Sequence, residues 1–368
     1  MQAAICFETG RPPRVEEVEL EGPRAGEVQV RVAAAGVCHS DWSVITGAMP
    51  ARLPCVIGHE GAGTVEETGA GVEHVRPGDR VVLSWVTQCG QCFYCRAGEP
   101  HLCAVGARVN QHFRMPDGST RLRQGGTELQ AFSALGAMAE RVVAPARAVV
   151  RLDEPIPLRT AALVGCAVTT GVGAVLNTAA VRPGSTVAVF GVGGVGLNVL
   201  QGAVLAGAER IVAVDMSAAR LALARTFGAT DVLDAAATDV PARIRDLTGG
   251  RGADYAFDAA GRKASIETAY ESVRRGGTCV VIGIGARGEE VSLNAYLLPV
   301  MGKRLLGCWY GSADVHRDVP RLLALHRQGR LKLDELVGRT YALAEVGQAF
   351  ADLESGRAGR GLVVMEDA

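Results

Sequence analysis

Residues Gly36 to Trp42 read GVCHSDW, so that Cys38, His39, Ser40 and Asp41 stand consecutively. A thiol beside an imidazole can be a nucleophile with its base, a metal ligand, or a buried thiol without chemistry. If the stretch is extended, the nucleophile reading fails, because adjacent residues of a strand point to opposite faces. A denser group follows in CGQCFYCRAGEPHLC, where Cys89, Cys92, Cys95 and Cys103 form a C-x2-C-x2-C-x7-C array. Thiolates at these intervals in a loop can converge on one tetrahedral Zn²⁺ and leave it no open position, so the array reads as structural. Such an ion would contribute folding free energy on the order of 10 kcal/mol. An iron–sulfur cluster is the competing reading of the same array. The chain has ten cysteines, and in a reducing compartment that number argues for metal before disulfides.

A third motif, GVGGVG, supplies Gly191, Gly193 and Gly196 in the pattern GxGxxG. It follows the apolar run TVAVF, opens a helix-like stretch and precedes a second apolar run ending at Asp215. That order is what a dinucleotide-binding turn requires: Gly191 for the tight turn, Gly193 for approach of the pyrophosphate, and Gly196 for close helix-to-strand packing. The helix start offers unpaired N–H groups to the anion. Asp215 can accept the adenosine ribose hydroxyls and would repel a 2′-phosphate, which favours NAD over NADP.

The elements that carry these residues divide by pattern. With 368 residues there is room for two cores. Residues 1 to about 160 read as short alternating strands between Gly/Pro turns, as in EVQVRVAAAG and VRPGDRVVLSW, an antiparallel, barrel-like region. From about Ser185 apolar strands alternate with helices: STVAVFG, a helix from Gly194 to about Gly207, RIVAVD, the helix SAARLALARTFG, ADYAFDAAG, a helix near 263 to 275, and GTCVVIGIG. That alternation predicts a doubly wound parallel sheet. After about Cys308 the helix-like VPRLLALHRQGRLKLDELV and the strand GLVVM are expected to pack back on the first region.

Composition narrows the partners. A formal net charge of −1 gives no electrostatic reason to expect nucleic acid or an acidic membrane surface, and a small neutral molecule is the expected ligand. The start, MQAAICFETG, lacks the basic and long apolar parts of a secretory signal, which points to a cytoplasmic protein. Thr186 to Ala208 is uncharged, but six glycines with Asn198 and Gln201 make it strand, loop and helix rather than a membrane span.

GHEGAGTVEETGAGV, the four-cysteine loop, GVGGVG, the flanking Cys38 and Cys166, and the closing ESGRAGRGLVV occur in an order that resembles the zinc-containing medium-chain alcohol dehydrogenases, over essentially the whole chain. The resemblance implies an α/β protein. A GroES-like catalytic domain would span 1–167, an NAD-binding Rossmann domain 168–308, and a return to the catalytic domain 309–368. It implies two zinc ions per chain, one structural and one held by Cys38, His59 and Cys166 with Glu60 beside it. Asp41 would orient His59, and Ser40 would take the proton of the alcohol. His39 and Arg360 would contact the coenzyme pyrophosphate. Gly194, Arg220 and Ile282 would line the dinucleotide, Thr170 and Val195 the nicotinamide, and Trp85 the substrate. Many relatives finish the proton relay with a histidine three residues after the hydroxyl, where this chain has Ser43.

The tail CWYGSADVHRDVPRLLALHRQGRLKLDELV resembles thiol-dependent formaldehyde dehydrogenases. However, Met49 stands at the position of their acidic pocket residue and Ala107 at that of their key arginine, with Arg108 adjacent. An apolar primary, allylic or aryl alcohol is therefore the expected substrate, and a mycothiol or glutathione adduct of formaldehyde the alternative. A long loop from about Arg108 to Gln130 resembles the dimeric branch, which implies a homodimer with a tetramer as the other option.

Overall fold

The strand Glu27–Gly36 organises the first half of the chain. Its opening EVQVRV alternates, leaving Gln29 and Arg31 half-buried while Val28, Val30 and Val32 face the core. Its end, AAAG, is buried throughout. Three strands pair antiparallel with it: Gly61–Thr68, Arg141–Pro145 and Arg360–Val364. The last comes from the other end of the sequence, with Leu362 opposite Gly36 and Val364 opposite Ala34. The small residues there let neighbouring groups come close, and a Cβ on Gly36 would lie 2.3 Å from the Glu60 carboxylate.

This computed structural model describes residues 1–153, 155–356 and 359–365; Arg357 and Ala358 of the closing ESGRAGRGLVV lie outside the described residues. Two compact units account for the chain, one of Met1–Cys166 with Asp314–Ala368 and one of Ala167–Ala313. The first unit holds two largely antiparallel sheets, one running through Gln2–Cys6 and Cys55–Val56 and the other around Glu27–Gly36. Ile57, Leu83, Met138 and Phe350 are among the fully buried side chains of its core.

The second unit is a six-stranded sheet in the spatial order Asp231–Asp234, Arg210–Asp215, Thr186–Phe190, Ala253–Asp258, Val273–Val281, Arg304–Gly307. All its pairings are parallel. The uncharged stretch resolves as expected into Thr186–Phe190, a turn and the helix Gly194–Leu205. Among the described residues no single helix is long and apolar enough to cross a membrane.

Three elements depart from the sequence reading. The supposed loop after Arg108 is the end of the helix Ala104–His112 followed by the hairpin Leu122–Gln124 with Thr127–Ala131. The long helix-like tail stops at Arg327, because Gly329 turns left-handed (φ 69°) just beyond it. A further helix, Val240–Leu247, was not foreseen. Its start signal was present: Asp239 caps it by accepting from the Ala242 N–H at 3.1 Å, and Pro241 sits in the first turn.

Candidate active site

Cys38 is extended (φ −125°, ψ 150°) and caps the helix His39–Thr46. His39, Ser40 and Asp41 therefore form a helical first turn, and the expectation of an extended strand is corrected here. Successive helical side chains are spread around an axis, so each faces a different neighbour. The Ser40 hydroxyl lies 3.9 Å from the Cys38 sulfur. Asp41 is fully buried and uses both oxygens. Oδ1 accepts the Gly58 N–H at 2.8 Å, and Oδ2 lies 3.0 Å from His59 Nδ1. Gly58 makes that approach possible: its backbone is left-handed (φ 98°), and a Cβ there would lie 2.4 Å from the Met138 nitrogen. With Nδ1 turned to Asp41, Nε2 faces Cys166 Sγ at 3.3 Å. Cys166 follows the short turn Leu163–Gly165.

The ligand atoms of Cys38, His59 and Cys166 all lie within 4.8 Å of one another, and all three residues are buried. Their charges are strongly linked. The Cys38 thiol is held well below its ordinary range, chiefly by its hydrogen bond with Cys166 and then, against burial, by the Arg360 and His59 charges. Burial works against a charged His59, yet Asp41 and Cys38 push it up to about 10. Two soft thiolates and an imidazole whose second nitrogen is already held by a carboxylate form the donor set of a zinc site with one position left over. Glu60 and Arg360 lie beside it, and the Arg360 guanidinium meets the Glu60 carboxylate, both residues being buried. Arg360, expected at the coenzyme phosphates, thus has its charge directed to Glu60. Two aromatic rings close on the ligand histidine: Phe132 at 5.0 Å and Trp85, edge-on, at 6.4 Å between centroids. No spacing rule could have identified Phe132, because its neighbourhood is set by chain segments distant in sequence.

Cys89, Cys92, Cys95 and Cys103 also bring their sulfurs within 4.8 Å of one another. Zn–S bonds of about 2.3 Å would separate the sulfurs of a tetrahedron by roughly 3.8 Å, which this spacing accommodates. An iron–sulfur cage would spread them wider. Cys92 and Cys103 each precede a helix, Phe93–Arg96 and Ala104–His112. Backbone N–H groups of Cys95 and Ala104 lower the Cys92 thiol to about 6, whereas burial raises Cys95 to about 12.

In the second unit the glycines separate by role. Gly191 is left-handed (φ 82°), a Cβ on Gly196 would lie 1.9 Å from the Gly191 carbonyl, and a Cβ on Gly193 would meet nothing within 4 Å. The third result is a cradle open at the start of the helix Gly194–Leu205, which fits a pyrophosphate. Gly194 and Val195, half-buried, are the first residues of that helix. Asp215 ends its strand and accepts from the N–H groups of Val192 (2.9 Å) and Ser217 (3.0 Å), with Arg220 4.0 Å from its carboxylate. Thr170 is buried in the helix Ala167–Gly173, and the buried Ile282 donates its N–H to the Asp258 carbonyl at 2.8 Å.

Comparison with known proteins agrees with this geometry. Residues 24–154 match the alcohol dehydrogenase GroES-like domain and residues 194–327 the zinc-binding dehydrogenase domain. The NDMA-dependent alcohol dehydrogenase of Amycolatopsis methanolica is 41% identical over 367 residues, covering 99% of this chain and 98% of the relative. The S-(hydroxymethyl)glutathione dehydrogenase of Paracoccus denitrificans is 37% identical over 372 residues, covering 99% of each. Among solved structures, benzyl alcohol dehydrogenase from Acinetobacter calcoaceticus superposes with a TM-score of 0.94 at 30% identity, covering 99% of each chain.

Proposed function

The chain belongs to the zinc-containing medium-chain alcohol dehydrogenase family, and from that premise we propose that it interconverts an alcohol and its aldehyde or ketone with NAD. The observation that carries this reading is the buried convergence of Cys38, His59 and Cys166 within 4.8 Å, three donors that leave a fourth position for substrate. When bound, zinc polarises the substrate oxygen and the nicotinamide takes or returns the hydride.

The chain's own residues do the rest. Asp41 fixes the ring of His59 through the 3.0 Å approach to Nδ1, so that Nε2 is the donor toward the ion. Ser40, two residues after the ligand Cys38, takes up the hydroxyl proton at its Oγ. Ser43 donates to the His39 carbonyl at 2.9 Å, inside the helix, and the proton leaves without a histidine at that position. The open Gly193 cradle holds the coenzyme pyrophosphate, Thr170 and Val195 pack the nicotinamide side, and Ile282 lines the dinucleotide. The Asp215 carboxylate supports NAD over NADP, and Arg220 beside it tempers that preference.

Trp85, Phe132 and the half-buried Met49 make apolar surroundings that suit a primary, allylic or aryl alcohol. A formaldehyde–thiol adduct is the second reading, favoured by the likeness to the Paracoccus enzyme. Two thiolate metal sites need reduced cysteines, which supports the reading of a cytoplasmic protein. The outer strand Arg304–Gly307 ends the parallel sheet, and Tyr296, Val300, Leu305 and Trp309 are exposed around it. A homodimer formed through that edge covers both.

Metal analysis tests the core of the proposal, with about two zinc ions per chain expected and one lost in Cys38→Ser. NADH formation with aliphatic, allylic and benzylic alcohols should follow. Absence of turnover with every alcohol and aldehyde and with either coenzyme would refute it.

A further inference from the structure

Arg52, Arg108, His112, Arg114 and Asp117 line an open pocket of about 520 Å³, a volume suited to a small organic ligand. All of it belongs to the unit that contains the Cys38, His59 and Cys166 cluster. Two of the charges are already engaged. Arg114 donates to Gln130 Oε1 at 2.9 Å, to the Gly118 carbonyl at 3.1 Å and to Glu128 at 2.9 Å. Asp117 is paired with Arg121 at 3.2 Å and approached by Arg24 at 3.7 Å. The side chains of Arg52, Arg108 and His112 have no hydrogen-bond or ion-pair partner among the described residues. In a chain whose net charge is −1, the concave wall therefore holds two uncompensated guanidiniums and an imidazole.

Cations in the last turn of a helix ordinarily offset its dipole. That accounts for His112 alone, the basic residue in the last turn of Ala104–His112; Arg108 lies one turn earlier on the same face. It does not account for Arg52, which reaches the same pocket from the segment after the helix His39–Thr46. The pocket wall is also joined to the metal cluster. Phe113, between His112 and Arg114, has a left-handed backbone (φ 55°) and a buried ring. That ring packs on Phe132 at 4.8 Å, and Phe132 packs on His59 at 5.0 Å.

We propose that this pocket binds the carboxylate or phosphate group of a small molecule, with Arg52 and Arg108 as the principal donors and His112 as a third. A guanidinium pair presents planar forks that match either oxyanion. The anion is either the far end of an alcohol substrate, a case that rests on the dehydrogenase reading, or a separate small anion.

The test uses the zinc-loaded enzyme, with Arg52→Ala, Arg108→Ala and the double variant, at constant ionic strength in chloride. Calorimetric titration with inorganic phosphate reads the site directly. KM for para-hydroxymethylbenzoate against KM for benzyl alcohol reads it through substrate. Each arginine removed should weaken the anion probe roughly tenfold and leave benzyl alcohol kinetics unchanged. A lower KM for the carboxylated alcohol that disappears in the variants, with phosphate competing, identifies the substrate's own anion. Phosphate binding lost in the variants, with the KM ratio unmoved, identifies a separate one. The proposal is overturned if neither probe binds wild type, or if binding survives in the double variant. Failure to oxidise benzyl alcohol at all would instead strike the proposed function, and the phosphate titration would still stand.

Discussion

Asp41 shows how much a single buried carboxylate can determine. It holds both the loop N–H of Gly58 and the ring of His59, so its loss should release the ligand rather than unfold the unit. Asp41→Asn is expected to lower zinc affinity at that site by roughly 10- to 100-fold, measurable by chelator competition, with the four-cysteine ion retained. Ser43→His restores a titrating group where the chain has a hydroxyl bonded to its own helix. It should add an inflection near pH 6.5 to the pH–rate profile, and an identical profile would argue that position 43 takes no part in proton transfer. Asp215→Ser removes the charge that opposes a 2′-phosphate, and the NADP-to-NAD ratio of kcat/KM should rise roughly tenfold, the effect of about 1.4 kcal/mol. These residues differed in how legible they were. The array at Cys89 to Cys103 is local, so spacing revealed it. Cys38, His59 and Cys166 are far apart in sequence, and only resemblance linked them before the fold did. Arg52 and Arg108 left no trace as a group, since neither is near the other along the chain and exposed arginines are common.

At the scale of elements, the turn between Thr186–Phe190 and Gly194–Leu205 separates stability from binding. A methyl group on Gly196 collides with the Gly191 carbonyl, while one on Gly193 meets no protein atom. Gly196→Ala should therefore cost about 1–3 kcal/mol of stability, seen in denaturant unfolding of the coenzyme-free protein. Gly193→Ala should leave unfolding unchanged and weaken NADH binding in a fluorescence titration. Loss of stability in Gly193→Ala would show that the cradle is a packing device. The alternation of strand and helix in this unit was readable because a buried parallel sheet demands apolar runs and its crossovers demand helical periodicity. Val240–Leu247 escaped because its signal was a cap and a proline rather than an apolar stripe. The region after Arg108 was misread as loop because its helix is short and its hairpin is built around Gly125 and Gly126, which resemble loop composition. At GVCHSDW the extended reading failed because Cys38 is the last extended residue and the helix begins at the next one.

For the whole molecule, the exposed apolar side chains near the Arg304–Gly307 edge are the feature that a lone chain leaves unexplained. Light scattering should give twice 38.3 kDa, and charges introduced by Leu305→Lys with Trp309→Lys should shift the mass to that of one chain while the zinc content stays constant. Both sheets of the first unit are assembled from segments far apart in sequence, which is why their pairing could be suspected from the tail but not registered residue by residue. The helix His39–Thr46 bears on how such a protein can change over generations. Its cap and first turn carry Cys38, His39, Ser40 and Asp41 within one short segment, so a substitution there must satisfy several demands together. Arg52, Arg108 and His112 sit on exposed positions with no partner among the described residues. Each can change singly without breaking a contact of the fold, so the ligand preference of that pocket can vary while the Cys38, His59 and Cys166 cluster is kept.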